Sequence, residues 1–309
     1  MPTRAKGIQT CLRAKDAARA PIRFVSPVLR TAALLVFAYL STSIPCRAEQ
    51  QSVAPAERVE IPVSPLPFIL QGFLRRPEGA GRSPAVVLLA VCSRFAKPLD
   101  EDWGARISSW GYVTLTLDSF GPRGIKNCGY GANTNAADLA SDAYRGLDFL
   151  IQNRFIDAKR AAVVGFASGA WQTLAAVERG EIERASEHKF RGAAAFYPPC
   201  SYLKGIMTVP TLILIGALDD WVTADACRKM AAGEDDIGIS RQKGEGSPVR
   251  LIVYPDAYFA FDVATLKTPT LYLGHHLEFN KSAADQSSDA LREFLNTTIG
   301  AASSQKGVK

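Results

Sequence analysis

Ala161-Ala162-Val163-Val164-Gly165-Phe166-Ala167-Ser168-Gly169-Ala170, continued by Trp171-Gln172-Thr173-Leu174-Ala175-Ala176, is the stretch that decides the fold. An apolar, β-type run breaks at a glycine and restarts with helix-forming residues, which predicts a strand, a tight turn and a helix. The spacing is that of the elbow motif G-x-S-x-G, whose central residue sits on a sharp turn while small neighbours let backbones approach closely. The glycines here are Gly165 and Gly169, so the centre is Ala167. Alanine has no hydroxyl or thiol with which to attack an acyl carbon, and the nearest hydroxyl, Ser168, lies one place late.

Outward from the elbow, strands and helices alternate. Upstream, Val59-Glu60-Ile61-Pro62-Val63 and Phe68 to Leu74 predict an opening hairpin. Ala85 to Ala90 is a continuous apolar run of the kind buried on both faces of a parallel sheet. Asp102 to Ile107 reads as a helix ending near Gly111, followed by a strand Tyr112 to Thr116 and the loop Asp118 to Gly124. Between Ala136 and Ile151, Leu139, Ala143, Leu147 and Leu150 recur at helical spacing. Downstream, strands are expected at Gly192–Tyr197, Thr211–Ile215 and Val249–Tyr254, with helices near Ala224–Ala231 and Ala283–Leu295. This alternation predicts an α/β fold with a mostly parallel central sheet, an antiparallel N-terminal hairpin and helices on both faces. Gly233 to Ser247 reads as a polar surface insertion, and no internal repeat is present.

The chain has 309 residues and a net charge of +6, which would suggest a nucleic-acid or membrane surface were the charge spread along it. It is not. Residues 1–48 carry eight Lys and Arg against Asp16, or +7, leaving −1 for the rest. A nucleic-acid binder is thereby excluded as an expectation. Arg30, the apolar run Thr31 to Leu40 and the small-residue exit ending Cys46-Arg47-Ala48 have the pattern of a bacterial secretory signal peptide cleaved after Ala48. The expected organisation is a signal peptide at 1–48, a linker and N-terminal strand at 49–66, one α/β domain at 67–296 and a disordered tail at 297–309. The expected location is periplasmic or secreted, with no stable membrane span once the signal is removed.

Export makes the cysteines interpretable, since an oxidising compartment permits disulfides. Cys92, Cys128, Cys200 and Cys227 remain after cleavage, and four cysteines allow three pairings. Cys92 and Cys128 follow neighbouring expected strands, as do Cys200 and Cys227, which favours those two pairs over four free buried thiols. No spacing of Cys or His suggests a metal site, and no cofactor is implied.

The residues resemble the dienelactone hydrolase family, within the α/β-hydrolase fold, over nearly all of Ile69 to Leu295. The resemblance rests on Ser83 to Leu89, Trp110 to Leu115, Asp118 to Gly124, Val163-Val164-Gly165, Ala194 to Cys200, Ile213 to Gly216, Asp219-Asp220-Trp221, Tyr254-Pro255 and Gly274-His275-His276. It implies a Ser or Cys nucleophile, then an Asp, then a His, cleaving esters or lactones. Carried over position by position, the nucleophile falls on Ala167, the acid on Asp219 and the histidine on Phe259. The loop after the first core strand, His-Gly in the family, reads Ala90-Val91-Cys92-Ser93, and Val91 lacks the freedom that turns a backbone N–H toward substrate.

Two of three catalytic positions are therefore vacated, and the expectation is a secreted, catalytically degenerate hydrolase-like protein. It would retain an apolar small-molecule pocket bounded by Ala90, Val91, Cys92, Ser93, Phe120, Ala167, Ser168, Trp221 and Phe259. The alternative is an active ester or lactone hydrolase whose site has moved to Ser168, Asp219 and His275 or His276. A third class is an interaction module that presents an exposed patch. For Ser168 the competing role is a backbone donor or helix cap, and for Asp219 a loop carboxylate. Ligand identity and oligomeric state are not readable from the residues.

Overall fold

The computed structural model describes residues 55–63, 68–77, 81–125, 136–201, 203–234 and 244–300, all within one compact unit. Eight strands form one sheet. They are β1 (Ala56–Pro62), β2 (Ile69–Arg75), β3 (Ser83–Leu89), β4 (Val113–Asp118), β5 (Ile156–Phe166), β6 (Gly192–Phe196), β7 (Thr211–Gly216) and β8 (Val249–Tyr254). Their spatial order is β1-β2-β4-β3-β5-β6-β7-β8. β1 and β2 form the expected antiparallel hairpin, with Ala56 opposite Arg75, and β2 lies antiparallel to β4. From β4 to β8 every pairing is parallel.

The central strands are apolar on both faces because helices cover both. Val86, Val87 and Leu88 of β3, Ala162 to Val164 of β5 and Leu212 to Ile215 of β7 are wholly buried. The covering helices include α3 (Ala136–Ile151), α4 (Ser168–Val177), α6 (Ala224–Ala232) and α7 (Lys281–Thr298). Of the remaining three, α1 (Ser93–Leu99) and α2 (Ala105–Ser109) belong to one helical passage joined by a π turn at Asp100–Gly104, and a short α5 (Glu181–Ala185) follows α4.

Two expectations need correction. The helix placed at Asp102–Ile107 is part of a passage that begins at Ser93. Pro98, which has no N–H to donate, lies inside α1, and the wider π turn carries the passage past it, so the apolar period is interrupted in sequence. The tail does not start at Thr297. α7 begins where the Asn280 side chain accepts from the Ala283 N–H at 3.0 Å, and it runs to Thr298. Ile299 is then buried, and Arg160 Nε donates to its carbonyl at 2.6 Å, which ties the chain to β5. Residues 301–309 and most of the Gly233–Ser247 insertion lie outside the described residues.

A small hairpin escaped the sequence reading. β9 (Thr270–Tyr272) and β10 (His275–Leu277) form a separate two-stranded sheet around Leu273-Gly274, both at positive φ. Leu271 and Leu273 are the most exposed of its apolar residues.

Cys200 and Cys227 are bonded, joining the exit of β6 to α6 with a Cα–Cα distance of 5.0 Å. Cys92 is also disulfide-bonded, and its expected partner Cys128 lies outside the described residues. The Cys200–Cys227 bond closes a loop of sequence separation 27. Loop-closure entropy alone makes such a bond worth about 3–4 kcal/mol. A Cys200→Ala/Cys227→Ala double variant should therefore unfold at clearly lower denaturant, measured by urea titration against wild type, and an unchanged midpoint would mean the loop is held by packing.

Candidate functional site

The elbow is built by close backbone approach. A Cβ on Gly165 would lie 2.1 Å from the Gly169 carbonyl oxygen, and one on Gly169 would lie 2.2 Å from the Leu89 carbonyl oxygen. Only glycine lets β5, α4 and β3 meet so tightly. Between them Ala167 takes φ 54° and ψ −116°, a conformation costly for a residue with a Cβ. It is held there by its N–H, donated to the Phe196 carbonyl at 3.1 Å, and by its carbonyl, which accepts from Ala170 and Trp171 to start α4. The turn thus has an elbow's shape, and at its apex stands a buried methyl group.

Asp219 follows β7. Its Oδ1 accepts from the backbone N–H groups of Trp221 and Val222 at 3.0 and 2.9 Å, an Asx turn that fixes the loop. Its Oδ2 is buried without a hydrogen-bond partner. Burial pushes the carboxyl up to about 7, against the pull of those two N–H groups, and neighbouring Asp220 adds to the rise.

Phe259 follows β8 on a segment locked against β7, since a Cβ on Gly216 would lie 2.1 Å from the Ala257 carbonyl oxygen. Where the resemblance places an imidazole, the Phe259 ring packs between Tyr197 and Trp221, with centroid distances of 4.8 and 4.9 Å. Trp221 in turn stacks on His275 at 4.8 Å, and Tyr272 lies 5.8 Å from it. Phe259 also bridges to Leu277 of β10, so the small hairpin is fastened over this aromatic row.

The other candidate residues are engaged elsewhere. Ser168 Oγ donates to the Val91 carbonyl at 2.6 Å, so its hydroxyl proton goes to the backbone of the loop after β3. His275 Nδ1 lies 3.5 Å from Asp220, and His276 stacks on Tyr258 and meets Glu278 at 2.9 Å through Nε2. Among the described residues no hydrogen bond joins Ser168 to either histidine, or either histidine to Asp219. Cys92, being oxidised, is no thiolate. The expected pocket lining divides between two clusters: Cys92 and Phe120 pack with Leu139, whereas Ala167 and Phe259 belong to the main core, with Trp221 half-buried against it. Ala90 is buried, and Val91 and Ser93 are half-buried, the latter donating to Asp118 at 2.6 Å. A groove of about 370 Å³ lies elsewhere, between the N-terminal hairpin and the end of α3, where Glu57, Leu74, Arg76 and Phe155 line it.

Sequence reading missed a buried set behind the aromatic row. Trp103 Nε1 donates to Asp262 Oδ2 at 2.7 Å, and the Tyr197 hydroxyl also bonds Asp262. Tyr197 sits at φ 41°, and burial, with Asp262, Asp102 and Asp219 nearby, raises its hydroxyl well above the usual tyrosine range. Burial likewise raises the Asp262 carboxyl, opposed by the Trp103 and Tyr197 hydrogen bonds. The available signal was the pair Phe261-Asp262, an acid following an apolar run just past Phe259.

With this geometry the chain has an α/β-hydrolase fold, and the structures it resembles are dienelactone-hydrolase-like proteins and esterases. A dienelactone-hydrolase-like promiscuous phosphotriesterase from metagenomic libraries superposes with a TM-score of 0.62 at 16% identity, covering 81% of this chain and 100% of that one. An esterase of Pyrococcus furiosus gives 0.56 at 18% identity over 80% and 94% of the two chains. Esterase 2 of Thermogutta terrifontis gives 0.57 at 16% over 82% and 98%. At such identities the likeness establishes the fold. No protein-family model matches the sequence, and no curated protein matches it.

Two outcomes follow from the site. Gly169→Ala should cost about 3 kcal/mol or prevent folding, because the new methyl collides with backbone rather than with a movable side chain; a normal melting curve would contradict the close approach. Asp219 binds its proton more tightly folded than unfolded, so its contribution to stability is greatest below about pH 4 and is lost as pH rises toward 7. Asp219→Asn, which keeps an oxygen for the two loop N–H groups, should raise the melting temperature at pH 8, by on the order of 1–4 kcal/mol in stability, with the gain shrinking toward pH 4. A slope of the same sign from Asp262, also raised by burial, should persist in the variant.

Proposed function

We propose that this chain is an exported, catalytically degenerate α/β-hydrolase-fold protein that binds a small molecule at the end of the sheet where related folds perform acyl or phosphoryl chemistry. The observation that carries the reading is the elbow itself: its strained backbone persists at Ala167, yet no nucleophilic atom stands there. Phe259 in the histidine position and Asp219 without a hydrogen-bonded base support it, since a hydroxyl needs an adjacent base to be activated. Retention of the neighbouring backbone suits a role in which shape outlives chemistry.

The relocated arrangement is the weaker reading, because Ser168 already donates to Val91 and the histidines hold the small hairpin through Asp220, Trp221, Tyr258 and Glu278. Export is supported by the charge and apolar pattern of residues 1–48 and by the oxidised cysteines.

The test is stepwise repair. Ala167→Ser alone should leave activated aryl esters uncleaved, because the new hydroxyl has no base, and triad members act as a unit. Ala167→Ser with Phe259→His should give the first measurable cleavage, with Asp219 orienting the imidazole. That activity should stay low, since one missing oxyanion donor costs on the order of 10²- to 10³-fold. Wild-type hydrolysis abolished by Ser168→Ala, or wild-type labelling by a fluorophosphonate at Ser168, would overturn the reading.

A further inference from the structure

Four aspartates are buried among the described residues, and two of them are matched by guanidinium groups. Asp100 accepts the Arg75 guanidinium through both oxygens, at 3.1 and 2.7 Å. Asp142 lies between Arg123 and Arg145, at 2.6 and 2.5 Å. Asp262, which has no cation, takes the Trp103 and Tyr197 donors. Asp262 Oδ1 and Asp219 Oδ2 are both buried and unpartnered, and Asp219 differs in having no side-chain donor, since its other oxygen serves the N–H groups of its own loop.

The groups around it deepen the mismatch. Asp220 is adjacent in the chain, and the Tyr197 hydroxyl lies within the fields of Asp219, Asp262 and Asp102. Arg106 pairs with Asp102 at 2.7 Å and covers Trp103, and His275 meets Asp220. Asp219 accepts from the Trp221 N–H and acts on the Tyr197 hydroxyl, the two ends of the aromatic row Tyr197, Phe259 and Trp221. A buried anion without a counter-ion is unfavourable, and aromatic faces attract cations. An apolar ligand would leave the oxygen unmatched, and a neutral donor would leave the charge.

We infer that this corner of the site binds a small organic ammonium ion, whose N–H donates to Asp219 Oδ2 and whose apolar body lies against Trp221 and Phe259. The half-buried Trp221 indole, stacked on His275, is the side chain that moves to admit it. The inference rests on the ligand-binding reading above and narrows its ligand from apolar to cationic.

Benzylamine and its neutral isostere benzyl alcohol are the probes, used with the full folded chain. At pH 8 benzylamine should raise the melting temperature by at least ~2 °C at millimolar concentration, and benzyl alcohol should not. The benzylamine shift should fall at pH 5.5, where Asp219 is protonated, and should vanish in Asp219→Asn. Calorimetry on wild type in buffers of different ionisation enthalpy provides a second measurement that needs no variant: near pH 7 binding should release a fraction of a proton, and near pH 8, where the carboxyl is ionised and the amine still charged, almost none. Equal shifts for amine and alcohol, an amine shift retained in Asp219→Asn, or binding at pH 7 without proton release would overturn the cation site. Fluorophosphonate labelling of Ser168 in the same sample would instead overturn the non-catalytic reading and leave the amine result standing.

Discussion

Three backbone segments meet at the elbow with no space for a side chain, and the arrangement of the site depends on that contact. Gly165 against Gly169, and Gly169 against Leu89, set the distance between β5, α4 and β3 at the limit that hydrogen atoms permit. Ala167 is bent into its left-handed conformation by these neighbours and by the hydrogen bonds to Phe196, Ala170 and Trp171. Its strain therefore belongs to the packing of the sheet and not to any reaction, which is why it persists with only a methyl group at the apex.

Electrostatics adds a second layer. Elsewhere the protein follows the general rule that buried carboxylates are matched: Asp100 and Asp142 hold guanidinium groups, and each pair ties a helical segment to the region of the hairpin or the β4 loop. Asp219 departs from that rule at the one place where resemblance puts a histidine beside it. The aromatic rings that occupy the space are good neighbours for one another and poor neighbours for an anion. The site is thus stable as a packed core and frustrated as a charged one, at Asp219 Oδ2 and again at Asp262 Oδ1 behind it.

Much of this was legible in the residues. The apolar runs at Ala85–Leu89, Ala161–Phe166 and Thr211–Ile215 are long enough, and bounded clearly enough, that their strands and parallel pairing follow from pattern. Spacing alone located Ala167, and the resemblance located Asp219. The reading of Phe259 as the histidine position came from resemblance and the pocket lining from topology, and the packing splits that lining between two clusters because neighbouring loop residues turn toward different cores. The passage Ser93–Ser109 was blurred by Pro98 and a π turn, whose period is not that of an α-helix. Ser168 and the two histidines could not be placed from sequence because their partners, Val91, Trp221 and Tyr258, come from distant loops and obey no local spacing. The Trp103–Asp262–Tyr197 set was hidden for the same reason, its members being up to 159 positions apart.

The lock between Gly216 and the Ala257 carbonyl bears on the history of such a chain. With the Phe259 segment fastened to β7 through main chain alone, exchange of the residue at 259 asks nothing of the backbone, just as exchange at 167 asks nothing of the elbow. Chemistry and architecture are then inherited separately. A scaffold fixed by main chain in this way keeps its shape under changes of side chain, and each such change is tried against a frame that is already in place.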